Sequence, residues 1–182
     1  FAAGDRFRVM PTRNAGESIR ADMKRPEELA FAAPLKSQTS PANIGTGVIS
    51  QPTLLTEIDI YDPVAQTNLE TSLRNAPPLR IVMGAGGGAT QGYDVVDING
   101  NVIDTGVIVP GQNNKITITV PATAGPPAVP VPFDYEVAIS GRPQGGDNFS
   151  VSFNTNGVSD NRNALKLIDL QNRTTIGINP LA

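Results

Sequence analysis

Alternation of apolar and polar residues with a period of two dominates the chain. Ile116-Thr117-Ile118-Thr119-Val120 alternates throughout, and so does Phe133-Asp134-Tyr135-Glu136-Val137-Ala138-Ile139. Each pattern predicts a strand with one face in a core and the other in solvent. Residues 79–83 form a short apolar strand, and 148–153 another. Residues 56–61 alternate with Ile58 and Ile60 on one face, and 44–49 and 18–23 are weaker strands. Residues 93–98 and 102–109 flank Asn99-Gly100, a dipeptide suited to a tight hairpin turn.

Three stretches read as helix. Pro26-Glu27-Glu28 opens a short run to about residue 33, with proline and acids where a first turn favours them. Asp62-Pro63 is an N-cap followed by proline, and Val64, Leu69 and Leu73 form a sparse stripe to about residue 74. Pro77-Pro78 ends that helix. Residues 159–171 are amphipathic, with Leu165, Ile168 and Leu170 on the apolar face and Ser159 or Asp160 as the cap. Residues 37–43 read as a polar linker, and the Pro/Ala-rich stretch 121–132 as an exposed, mobile connection. The expected fold is mainly β with a few short helices: an antiparallel β-sandwich or barrel-like domain, ending in an amphipathic helix.

Composition agrees with this reading. Glycine and proline together make about 19% of 182 residues, against a usual background of about 12%. The chain has no cysteine, histidine or tryptophan. That excludes disulfides, thiolate nucleophiles, Cys- or His-type metal sites and Ser-His-Asp triads. No run of 18 apolar residues occurs, and no basic-then-apolar signal pattern stands at the start. Phe1 is expected to be the cut edge of a longer protein.

Charge divides the chain. The net charge of −3 comes from a central acidic stretch between two mildly basic ends. With it comes a short internal repeat: Gly4-Asp5-Arg6-Phe7-Arg8-Val9 near the start and Gly146-Asp147-Asn148-Phe149-Ser150-Val151 near the end. Both read as a turn feeding a strand. The expected organisation is a base formed by 1–36 and 140–182, with 37–139 as a central acidic β-rich domain. No face concentrates Lys and Arg with interleaved aromatics, so no nucleic-acid partner is expected.

The candidate chemistry is weak on inspection. Gly84, Gly86 and Ala89 fit the spacing of a dinucleotide loop, but strand alternation resumes at Tyr93 and leaves no helix to cradle a phosphate. A hairpin tip is the expectation. Asp94, Asp97, Asn99, Asn101 and Asp104 could supply oxygen ligands, but the glycine that a calcium loop requires would fall on Val102. Asp134 and Glu136 share a strand face, the solvent face by alternation, where no cleft is implied for a carboxylate pair. No catalytic, cofactor-binding or metal-binding residue is assigned.

One resemblance is specific. Gly146, Asp147 and Phe149, followed by Asn156, Gly157, Ser159, Asp160, Asn161, Arg162, Asn163 and Ala164, closely resemble the motif of the bacterial flagellar hook-associated FlgK family, the hook–filament junction proteins. There a Gly-Asp-x-Phe strand leads into a long helix. Gly4-Asp5-Arg6-Phe7 through Pro11-Thr12-Arg13 to Ala32–Pro34 is similar to the family as well, and residues 37–132 are only loosely so. The resemblance implies a secreted structural protein of the bacterial flagellum rather than an enzyme. It would join hook to filament and support filament assembly, with other flagellar axial subunits and copies of itself as partners. No cofactor, nucleic acid or membrane is implied. Terminal helices form the polymerising core in that family, so this outer portion is expected to be monomeric alone. Asp160 or Ser159 would cap the helix, and Arg162 would pair across to the base. The competing reading is an extracellular glycan-binding β-sandwich module. The absence of tryptophan and the presence of only three tyrosines speak against an aromatic sugar platform.

Overall fold

Residues 32–59, 61–155, 157 and 160–172 are described by the structure, a computed structural model, with 171 and 172 described by backbone alone. Nine strands and two helices follow in the order β1 (Leu35–Thr39), β2 (Val48–Ile49), β3 (Thr53–Leu54), α1 (Pro63–Asn75), β4 (Leu79–Met83), β5 (Gln91–Val96), β6 (Val102–Ile108), β7 (Asn114–Val120), β8 (Phe133–Ser140), β9 (Asn148–Phe153) and α2 (Arg162–Asn172). The strands build two antiparallel sheets. One has the order β1-β9-β4-β5-β6. In the other, β8 pairs with β2 and β3 on one side and with β7 on the other.

Alternation decides which side chains meet between the sheets. Ile81, Met83, Tyr93, Val95, Phe149 and Val151 from the first sheet are buried with Ile116, Ile118, Phe133, Tyr135, Val137 and Ile139 from the second. At about 25 cal/mol per Å² of apolar surface removed from water, this shared core is the main driving force for folding. Helix α1 covers one margin through Leu69 and Leu73. Asp62 caps it as its sequence predicts, accepting from the Val64 and Ala65 N–H groups at 2.8 and 3.1 Å. The Asn99-Gly100 hairpin also forms, with Gly100 at φ +87°. Strand β9, from the 140–182 segment, lies between β1 and β4, so strands from both parts of the chain share one sheet and one core.

Three expectations need correction. The stretch expected as a linker, 37–43, contains most of β1, which pairs in register with β9 from Leu35↔Phe153 to Thr39↔Phe149. Its polar residues gave no strand signal because a backbone ladder does not depend on side-chain polarity. The strand expected at 56–61 lies earlier: pairing with β8 covers Thr53–Leu54 and stops at Leu55, whose N–H donates to Asp134 O at 2.9 Å. The Thr56 hydroxyl oxygen then accepts from the Asp134 N–H at 2.7 Å and replaces the next ladder bond. The 121–132 connection is exposed along most of its length, as expected, but it is tied to the body rather than free. Thr123 and Val129 exchange two backbone hydrogen bonds, Val129 enters the core, and Asn75 donates to Ala128 O. The strand at 18–23, most of the helix at 26–33 and the first copy of the repeat lie outside the described residues.

The sheets do not close into a barrel, so their margins carry backbone groups that need partners. Side-chain carboxamides supply them. Between β2 and β3 the Gln51 amide reaches the β1 edge: Ser37 N–H donates to Gln51 Oε1 at 3.2 Å, and Gln51 Nε2 donates to Ser37 O at 3.1 Å. At the opposite margin, Val109 N–H donates to Asn114 Oδ1 at 2.8 Å and Asn114 Nδ2 donates to Val109 O at 3.0 Å. Each carboxamide substitutes for a neighbouring peptide. Gln51→Ala is therefore expected to lower stability by about 1–2 kcal/mol and to speed exchange of the Ser37 amide. Urea denaturation and hydrogen–deuterium exchange check both, and an unchanged Ser37 rate would refute the capping role.

Candidate functional site

Asp160, Arg162 and Asn163, three of the residues that carry the family resemblance, meet where α2 leaves the sandwich. Asp160 Oδ1 accepts from the Arg162 N–H at 3.1 Å, so it satisfies one of the free N–H groups of the first helical turn. It also holds the Arg162 side chain, with Nε 3.0 Å from Oδ1 and Nη2 2.7 Å from Oδ2. The guanidinium has donors left over. Nη2 donates to Leu35 O at 2.6 Å and Nη1 to Pro52 O at 3.2 Å. Leu35 belongs to one sheet and Pro52 adjoins β3 of the other, so one side chain spans the open margin between them.

Two asparagines complete the clamp. Asn154 Nδ2 donates to Ala33 O at 3.1 Å and to Asp160 Oδ2 at 2.8 Å, and Asn163 Nδ2 donates to Ala32 O at 2.9 Å. The carbonyls of Ala32, Ala33 and Leu35, where the described chain enters the sandwich, are thus gripped by residues at its exit. Where Arg162 is expected to pair across to the base, it reaches Leu35 O, within 1–36, and Pro52 O, within 37–139. Ser159 lies outside the described residues, and Asp160 is the residue seen at the cap.

The Gly-Asp element has its own role. Asp147 is buried, 2% exposed, and has no basic partner among the described residues. Its Oδ1 accepts from Ile44 N–H at 2.8 Å, and its Oδ2 from Gly45 and Gln144 N–H groups at 3.0 and 2.8 Å. Burial opposes its charge, but the backbone donors from Gln144, Ile44 and Gly45 outweigh it and hold its carboxyl below the ordinary value. Gly45 is required here, because a Cβ would lie 2.5 Å from Asp147 Oδ2 and 2.6 Å from Arg142 O. Beside it, Asn43 and Asn148 make a further carboxamide-to-peptide pair at 2.8 and 2.9 Å.

Several residues of the candidate motifs serve the fold. The 84–90 segment is the loop between β4 and β5, and β5 begins at Gln91 with no intervening helix. Asp97 accepts from the Asn99 and Asn101 N–H groups at 2.8 Å each and serves its own turn. Asp104 accepts from Thr119 N–H at 3.3 Å. Glu136, on the outer face of β8, pairs with Lys115 at 3.0 Å. Among the described residues no cluster of three metal-ligating side chains occurs, and no helix is long and apolar enough to cross a membrane. Sequence reasoning missed Asn43, Gln51, Asn114 and Asn154. Only their position opposite a free peptide distinguishes them from any polar loop residue.

No protein-family model matches this chain, and no curated protein matches it. Among solved structures, the chain is similar to the flagellar hook junction protein FlgK from Burkholderia pseudomallei, with a TM-score of 0.50 and 23% identity, over 78% of this chain and 25% of that one. It is also similar to FlgL from Xanthomonas campestris, with a TM-score of 0.37 and 19% identity, over 66% of this chain and 29% of that one. This chain therefore spans about a quarter of the length of the structures it resembles, and the likeness at these identities is one of fold.

The clamp and the two bonded carboxylates, Asp147 and Asp160, each carry a prediction. Arg162→Lys keeps the charge but loses the planar fork. It is expected to raise exchange of the α2 amides by roughly tenfold or more, at a cost of about 1–3 kcal/mol, while β4 and β8 stay protected. Equal exchange in both proteins would remove the clamp. The acid response has a definite sign. The Arg162 guanidinium beside Asp160 lowers its carboxyl to about 2, and Asp147 is also depressed. As pH falls below about 4 the unfolded carboxyls take protons first. Stability is therefore full above that pH and lost toward pH 2, which urea melts across the window would show. Asp147→Asn should flatten this dependence.

Proposed function

We propose that this chain is the outer, mostly β part of a bacterial flagellar hook-associated protein of the FlgK kind, which joins hook to filament and supports filament assembly. Its work is mechanical and non-catalytic, outside the cell. Its partners are other flagellar axial subunits and copies of its own full-length protein. The observation that carries the reading is the clamp. Two residues of the motif-like stretch, Arg162 and Asn163, bind the outgoing helix to the incoming chain, and Asn154, outside the motif, joins them. A body carried on paired terminal segments needs such a joint, because load reaches it through both chain ends. The likeness in fold to the hook junction protein over 78% of this chain is consistent with it.

In this reading 1–36 and 140–182 form the base, and 37–139 extends outward. Strand β9, from the 140–182 segment, lies inside the first sheet, so that segment and 37–139 share a core. Deleting the gene for the full-length protein should leave hooks without attached filaments in electron micrographs, and a plasmid copy should restore them. Normal filaments in the deletion strain would sink the proposal.

A further inference from the structure

A cleft of about 490 Å³ lies between the glycine-rich loop and the turn that follows β8, lined by Gly86, Gly88, Gln91, Pro110, Arg142 and Gln144. Three features of it are unused by the fold. First, among the described hydrogen bonds none is donated by the backbone N–H groups of residues 85–89, although Gly84 N–H is bonded to Gly92 O. Second, Arg142 has no acidic partner among the described residues. Its side chain lies across the bare backbone of Gly111, where a Cβ would stand 3.3 Å from its Nη2. Third, Gln91 is 1% exposed, and its Nε2 donates to Gly84 O at 2.9 Å, but its Oε1 is buried without a donor. An unmade bond of that kind is unfavourable, since the oxygen has lost its water and gained nothing in return. Gly86 stands over this amide with no side chain of its own.

These groups ask for complementary chemistry. A planar guanidinium and a run of free peptide N–H groups suit an oxyanion. Gln91 Oε1 asks for a donor, and a carboxylate at neutral pH has none. We infer that this cleft binds a carboxylate bearing a neighbouring hydroxyl, the chemistry of an acidic sugar or of a free hydroxy acid. Arg142 and the loop N–H groups take the carboxylate. The hydroxyl donates to Gln91 Oε1 as the glycine loop shifts aside. The volume suits a monosaccharide. The inference is independent of the flagellar reading.

The test is an NMR titration of the whole chain at neutral pH with galacturonate, glycerate, acetate and galactose. Galacturonate or glycerate should give saturable shifts in the Gly86–Gly88 amides and the Gln91 side-chain amide, with acetate and galactose weaker by roughly tenfold. Tighter galacturonate binding identifies a saccharide site, and equal glycerate binding a hydroxy-acid site. Arg142→Gln should weaken binding by about tenfold. Gly86→Ala places a methyl at ordinary contact distance, 3.6 Å, from Gln91 Nε2. It should keep the fold but erase the preference over acetate. No saturable shift at about 50 mM ligand, equal binding of acetate, or unchanged binding by Arg142→Gln would overturn the proposal.

Discussion

The guanidinium of Arg162 ties together three parts of the protein: the start of α2 and the margins of the two sheets. It is held by Asp160 at the start of α2, and it donates to Leu35 O on one sheet and to Pro52 O beside the other. Two open sheets stacked on an apolar core resist separation well, since parting them exposes the whole core. They resist sliding less, because apolar contact has no direction. Directional bonds across the margin supply what the core lacks. Arginine suits this place because it carries five donors in a fixed plane and stays charged at any relevant pH.

The same logic recurs in neutral form. Gln51 opposite Ser37, Asn114 opposite Val109 and Asn43 opposite Asn148 each offer a donor and an acceptor to the N–H and C=O of one residue. A strand placed there would extend the sheet and leave a fresh edge open to another chain. A carboxamide ends the ladder instead, which limits unwanted strand pairing with other chains. Polar residues at these points thus serve both stability and specificity of association.

Asp147 shows how far the fold depends on backbone rather than ionic partners. A buried carboxylate usually needs a cation, yet here peptide N–H groups from two loops stabilise its charge. The arrangement fastens the 43–46 loop to the 142–147 turn and sets the start of β9, the strand on which β1 and β4 both register. Two buried polar atoms remain without partners among the described residues, Gln91 Oε1 and the Tyr135 hydroxyl. Burial first, and then the charge of Asp104, pushes the Tyr135 hydroxyl well up from its ordinary range, so it stays neutral in the core.

Much of the fold was legible in local pattern. The alternation of 116–120 and 133–139, the Asn99-Gly100 turn, the Asp62-Pro63 cap and the 148–153 strand are consequences of side-chain period and backbone preference over a few residues. They determine which residues are strand or helix and which face is apolar. The absence of cysteine and histidine likewise removes whole classes of chemistry by composition alone. Partnership is what only the tertiary structure decided. β1 is polar and appears as a strand because β9 lies beside it, and 121–132 is tied down because Asn75 and Ser72 stand opposite it. Arg162, Asn154 and Gln51 become joints because free carbonyls face them. A hydrogen bond depends on distance and angle between atoms far apart in the chain, and linear order encodes neither.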